Sequence, residues 1–134
     1  MATLVSIEGI GEKYADCLAR AGIGSTGTLL DRGATRAGRD EIARTAGVTG
    51  HQVLAWVNRA DLFRIDGVGE EFSDLLEASG VDSVPELAQR NAEHLFEKMA
   101  VVNESKKLVR RVPNLAEIHS WINQAKTLPR KVEH

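Results

Sequence analysis

At 134 residues, 43% of them apolar and 27% charged, the chain has the balance of a globular protein long enough for one sizeable core or two small ones. A net charge of −2 gives no global attraction to polyanions, and the single cysteine, Cys17, excludes an intramolecular disulfide framework. No apolar run reaches the length a bilayer requires and no signal peptide is legible, so a soluble cytoplasmic protein with no membrane partner is expected.

Charge is distributed unevenly. Residues 1–60 sum to +1, residues 61–97 to −8 and residues 98–131 to +6. An acidic middle is therefore followed at once by a basic segment.

In chain order, Thr3 is placed to cap a single turn over Leu4 to Ile7, which feeds the stretch Ile7-Glu8-Gly9-Ile10-Gly11. Two glycines flanking one apolar residue, with helical spacing after them (Tyr14, Ala15, Cys17, Leu18, Ala21), describe a tight turn that opens a helix. Gly22 ends that helix, and Cys17 on its apolar stripe reads as a buried thiol. Ser25 to Thr28 start a second, weakly capped helix at Leu29 and Leu30, and a longer helix follows over about Thr35 to Ala46, weakened by Gly38. The half closes on Ala55-Trp56-Val57-Asn58-Arg59-Ala60.

The same series then repeats. Asp61 precedes a turn at Leu62 to Ile65, and Ile65-Asp66-Gly67-Val68-Gly69 lies 58 residues after its first copy. Phe72, Leu75, Leu76, Ser79 and Gly80 continue the match, Ser83-Val84-Pro85-Glu86 reads as a capping box, and a helix spans about Ala92 to Val102. The closing Ser120-Trp121-Ile122-Asn123-Gln124-Ala125 is offset by 65, so about seven residues are inserted near 106–114. No segment alternates with period two. The expectation is an all-α, single compact domain with essentially no β structure and two duplicated units in pseudo-two-fold relation. The units are 1–60 and 61–128, packed together by their Trp helices, and 129–134 form a C-terminal tail.

The glycine turns fail the dinucleotide-binding fingerprint, which requires a strand before the turn and a βαβ unit around it. Both instead resemble the helix-hairpin-helix motif, in the pattern apolar-x-Gly-apolar-Gly-x-x-x-small-x-x-Leu ending in Ala-Gly-Ile or Ser-Gly-Val. Where members of that family bind DNA, hairpin amides hold a phosphate and a nearby Lys or Arg strengthens the contact. The resemblance implies such a site at Gly9, Ile10 and Gly11 with Lys13. Gly67, Val68 and Gly69 sit among Asp66, Glu70 and Glu71, whose charges complement the helix start and repel a phosphate, so the second hairpin reads as structural. Over nearly its whole length the chain is also similar to the bacterial family known only as domain of unknown function 4332. The matching residues are the two hairpins, Trp56-Val57-Asn58, Arg110-Arg111-Val112-Pro113 and Trp121 to Lys126. That resemblance implies the fold and lends no activity.

Two further features bear on function. Ala43, Gly47, Val48, Thr49 and Val53 fall where a helix-turn-helix places its packing residues, which would present Gly50, His51 and Gln52 to a groove, although no Lys or Arg lies at that turn. Lys106, Lys107, Arg110 and Arg111 have i, i+4 spacing and form one positive face if helical, to meet nucleic acid, an acidic protein or the chain's own acidic segment. The four histidines are scattered without metal-ligand spacing, and no nucleophile elbow, phosphate loop or kinase signature is present. The expectation is a non-enzymatic binding module without cofactor, metal or small-molecule substrate. It would contact DNA or RNA backbone through the first hairpin and the basic cluster, or else another protein or itself with both hairpins structural.

Overall fold

The computed structural model describes residues 3–7 and 9–134. Glu8, inside the first glycine turn, lies outside the described residues. Among these residues the protein is all-helical: a 3-10 turn Leu4–Ser6, then α1 Glu12–Arg20, α2 Thr26–Arg32, α3 Arg36–Ala46, α4 Gly50–Leu62, α5 Glu70–Ala78, α6 Val84–Ala88, α7 Ala92–Lys106 and α8 Leu115–Thr127. No helix is long and apolar enough to cross a membrane.

Most helix starts follow from side chains that occupy the orphan amides of the first turn. Ser25 accepts from Thr28 N, Thr35 from Gly38 N, Ser83 from Glu86 N and Asn91 from His94 N. Asn114 and Glu117 form a reciprocal capping box at α8. The box expected at Ser83 is only half made, because the Glu86 carboxylate turns to Arg90 at 3.1 Å. Gly38, unfavourable by propensity, has a packing reason: a Cβ there would lie 2.0 Å from the Arg32 carbonyl oxygen, so α3 starts close against the end of α2.

The chain divides into two units. One comprises the residues up to Asp61 together with Arg130–His134, and the other Leu62–Pro129. In the first, α1 and α2 pack on α3, and Ile7, Leu18, Ile23, Leu29, Ile42, Val53 and Val57 are buried. Cys17 is half-buried rather than sealed in that core. The last residues belong to this unit: Val132 is buried, and Glu133 N donates to Ala34 O at 2.7 Å. In the second unit α8 packs on α6 and α7, α5 packs on α7, and Leu75, Leu76, Leu87, Leu95, Met99, Ile118 and Trp121 form the core.

Two local expectations are corrected. Asp61 lies inside α4, which runs to Leu62, rather than ahead of a new element; the turn expected at Leu62 to Ile65 follows directly, with Ile65 N donating to Leu62 O at 3.1 Å as Ile7 N does to Leu4 O at 3.0 Å. Helix α7 continues four residues past Val102 and stops at Lys107, which takes the left-handed conformation usually left to glycine (φ 51°).

Candidate nucleic-acid interface

The first glycine turn is shaped by one torsion and one aromatic ring. Gly9 has φ +94°, and a Cβ on it would lie 3.4 Å from Trp56 Nε1. Gly67 repeats this with φ +96° and Trp121 Nε1 at 2.9 Å. Each indole also meets the first aromatic residue of the following helix: Tyr14 and Trp56 centroids are 5.4 Å apart, and Phe72 and Trp121 centroids 5.3 Å apart, with tilts of 51° and 50°. The tryptophans thus brace the turn of their own half, a contact that sequence reasoning did not find. Its signal was the shared repeat position of each Gly and Trp pair.

In the first turn Ile10 N donates to Ile7 O at 3.0 Å, so that amide is committed to the turn itself. The first helical bond of α1 is Ala15 N to Gly11 O at 2.9 Å. Among the described residues no carbonyl one turn back accepts from the amides of Lys13 and Tyr14, which face out of the helix start. The Lys13 side chain is exposed beside them.

Gly11 differs from Gly9 in kind. Its φ of −87° is open to any residue, and a Cβ on it would meet nothing within 4 Å. Gly69, with φ −107°, is equally unconstrained. Neither torsion nor internal packing asks for glycine at these helix starts, where Ser, Asp or Asn would cap better. What glycine leaves there is bare, approachable backbone.

At the second turn the main chain of Asp66 is held from both sides. Asp66 N donates to Gln124 Oε1 at 2.8 Å, and Gln124 Nε2 donates to Asp66 O at 3.2 Å. Asp66, Glu70 and Glu71 are exposed around it. The Arg111 guanidinium reaches this acidic end and stands 5.5 Å over the Phe72 ring. Arg111 also holds Glu117 through both carboxylate oxygens, at 2.6 and 3.1 Å. That hydrogen-bonded pairing raises the affinity of Arg111 for its proton. The Glu117 carboxyl is held below the usual range, by Arg111 first and then by the Asn114 backbone amide.

The basic cluster does not form one helical face. Lys106 ends α7, Lys107 turns the chain out of the helix, and Arg110 and Arg111 lie on the loop that follows. That loop is fixed. Asn103 grips Val109 from both sides, with Nδ2 to Val109 O at 3.1 Å and Val109 N to Oδ1 at 3.0 Å, while Val109 and Pro113 are buried. Lys106, Lys107 and Arg110 are exposed, and among the described residues their side chains make no ion pair or hydrogen bond. The acidic segment 61–97 does not neutralise them, and Arg111 pairs with Glu117 outside it.

The predicted site residues are thus distributed over both units. Gly9, Ile10, Gly11 and Lys13 belong to the first, and Lys106, Lys107, Arg110 and Arg111 to the second. The structure brings Arg111 to the helix that follows Gly67, Val68 and Gly69. For the helix-turn-helix reading, Gln52 is not presented to a groove, because its Oε1 accepts from Thr49 N at 3.0 Å and Oγ1 at 3.2 Å in the cap of α4.

Two comparisons found nothing: no curated protein and no solved structure matches. The chain belongs to the family described as domain of unknown function (DUF4332), whose pattern matches residues 8–128.

Proposed function

We propose that this member of a family without an assigned activity is a non-enzymatic cytoplasmic binding module. It contacts nucleic-acid backbone weakly and without sequence preference, and its two glycine turns are the hairpins of helix-hairpin-helix units. The observation that carries this reading is the end of α7 and the fixed loop after it, where Lys106, Lys107 and Arg110 are exposed and, among the described residues, unpaired despite the net charge of −2. A preordered set of unpaired cations meets phosphates without first breaking internal pairs. The open backbone at Gly11 beside exposed Lys13 supports a second contact of the same kind. Anisotropy of labelled duplex DNA and single-stranded RNA tests the proposal. Binding at low salt that fades as salt rises supports it, and unchanged anisotropy at high protein concentration and low salt refutes it.

A second reading rests on apolar exposure in the same region. Val101, in the second half of α7, is 65% exposed and Leu108, in the basic loop, 39%. Apolar residues rimmed by cations suit a protein partner of opposite charge, or a second copy of the chain. Light scattering over a hundredfold range of concentration, about 1 to 100 μM, separates self-association from a constant monomer mass.

A further inference from the structure

The first unit holds a cleft of about 350 Å³ that the sequence does not reveal, lined by Arg36, Arg39, Asp40, Gly50, His51, Leu54 and His134. Its volume is at the small end of ligand sites. Three segments build it: the first turns of α3 and α4, and the extended residues 130–134. The extended segment is tied down by Lys131 Nζ to Asp31 at 2.8 Å, by Glu133 N to Ala34 O, and by His134 Nε2 to Asn58 Oδ1 at 2.8 Å.

Arg39 is the unusual member of this set. It is only 6% exposed, and its guanidinium bonds three carbonyl oxygens: Gly33 O at 2.9 Å, Ala34 O at 3.1 Å and Glu133 O at 2.7 Å. Among the described residues no carboxylate pairs with it. A buried cation satisfied by neutral acceptors keeps its charge uncompensated in a place where water screens it poorly. Arg36 lies one turn earlier on the same helix, exposed and without an ion pair among the described residues.

The start of α4 adds donors. Thr49 Oγ1 caps the amide of Gln52, and Val53 N closes the first helical bond to Thr49 O. The amides of Gly50 and His51 are left pointing out of the helix end, beside the cleft. Among the lining side chains one is a carboxylate and opposes these groups. Asp40 Oδ1 lies 3.8 Å from where a Cβ of Gly50 would be, at the mouth of the same helix start.

We propose that this cleft binds a small phosphate monoester through its phosphate group, with Arg36, the α4 amides and His51 around the oxygens and Arg39 supplying fixed positive charge behind them. A phosphate dianion matches several convergent N–H donors and a helix start better than a monoanion does. The proposal is independent of nucleic-acid binding by the loop after α7. It also gives Asp40 and Arg36 opposite roles, which a merely structural cleft does not.

The test is a proton–nitrogen correlation titration at pH 7.5 with ribose 5-phosphate, inorganic phosphate, acetate and, at matched ionic strength, sodium chloride. The expected result is saturable shifts at Gly50 and His51 with both phosphates and none with acetate or chloride. Removing one unit charge about 6 Å from a phosphate dianion changes affinity by about tenfold at the dielectric of water. Arg36→Gln should therefore weaken binding by about that factor or more, and Asp40→Asn should tighten it. Spectra of the variants away from the cleft check that each is folded. No saturable shift with ribose 5-phosphate, equal shifts with chloride, or an Asp40→Asn variant that binds no more tightly would overturn the proposal.

Discussion

The two glycines of each turn should respond oppositely to a side chain, and the contrast is sharpest in the second turn. Gly67→Ala forces a methyl-bearing residue to hold φ +96°, which costs about 1–2 kcal/mol. Its Cβ would also stand 2.9 Å from Nε1 of Trp121, which is 2% exposed and has no room to retreat, adding about 1–3 kcal/mol of overpacking. The sum is about 2–5 kcal/mol, or a fall in Tm of about 8–20 °C for a chain of this size. Gly69→Ser places a side chain in open space at an ordinary φ of −107° and supplies a helix cap, so its stability should be unchanged or higher by a few tenths of about 1 kcal/mol. Urea unfolding and calorimetry of both variants measure the difference. A Gly67→Ala protein as stable as wild type, or a Gly69→Ser protein as damaged as Gly67→Ala, would refute the assignment of a shape role to one glycine and not to the other.

Three other outcomes follow from single contacts. Ser79 Oγ is buried without a hydrogen-bond partner among the described residues, and the first half has Ala21 at the same repeat position. Ser79→Ala should therefore leave Tm unchanged or raise it, by up to about 1–3 kcal/mol in stability, where a polar-to-Ala change at a satisfied site would lower it. Glu117→Gln keeps the shape of the α8 cap but removes the charge that Arg111 holds. Because the folded carboxyl titrates below its unfolded value, its stabilisation is present above the unfolded value and disappears as pH falls through the folded one. The gap in stability between wild type and this variant should accordingly be open at pH 7 and closed in strong acid, as read from urea midpoints across pH. Val132→Ala should cost about 1–3 kcal/mol, since Val132 is 1% exposed within the first unit; a midpoint equal to wild type would mean the segment is frayed.

The local plan of this chain is legible because its punctuation is strong. Ser25, Thr35 and Ser83 stand where their oxygens meet the third amide of a helix, and apolar spacing marks α1 and α5. The repeat offset of 58 residues marks the two turns. What could not be read was tertiary. Nothing local says that Trp121 backs Gly67, that Gln124 grips Asp66 from 58 residues away, or that Arg39 holds the Glu133 carbonyl from 94. The basic cluster shows the same limit in another form. Its i, i+4 spacing suited a helix, but Lys107 adopts a left-handed cap and Asn103 fastens the following loop. Periodicity reports where charges would align if the helix continued, and it is silent on a stop made by Lys rather than Gly.

The central claim, a preordered and unpaired basic loop that meets phosphates, is tested most directly by the salt dependence of duplex binding. Lys106, Lys107 and Arg110 each neutralising one phosphate give a log–log slope of about −2.7. The account predicts a slope at least that steep for wild type, and a value near zero for Lys106→Gln/Lys107→Gln/Arg110→Gln if the loop acts alone. A residual slope of about −1 would remain if Lys13 contributes one contact. Equal slopes for wild type and the triple variant would contradict it.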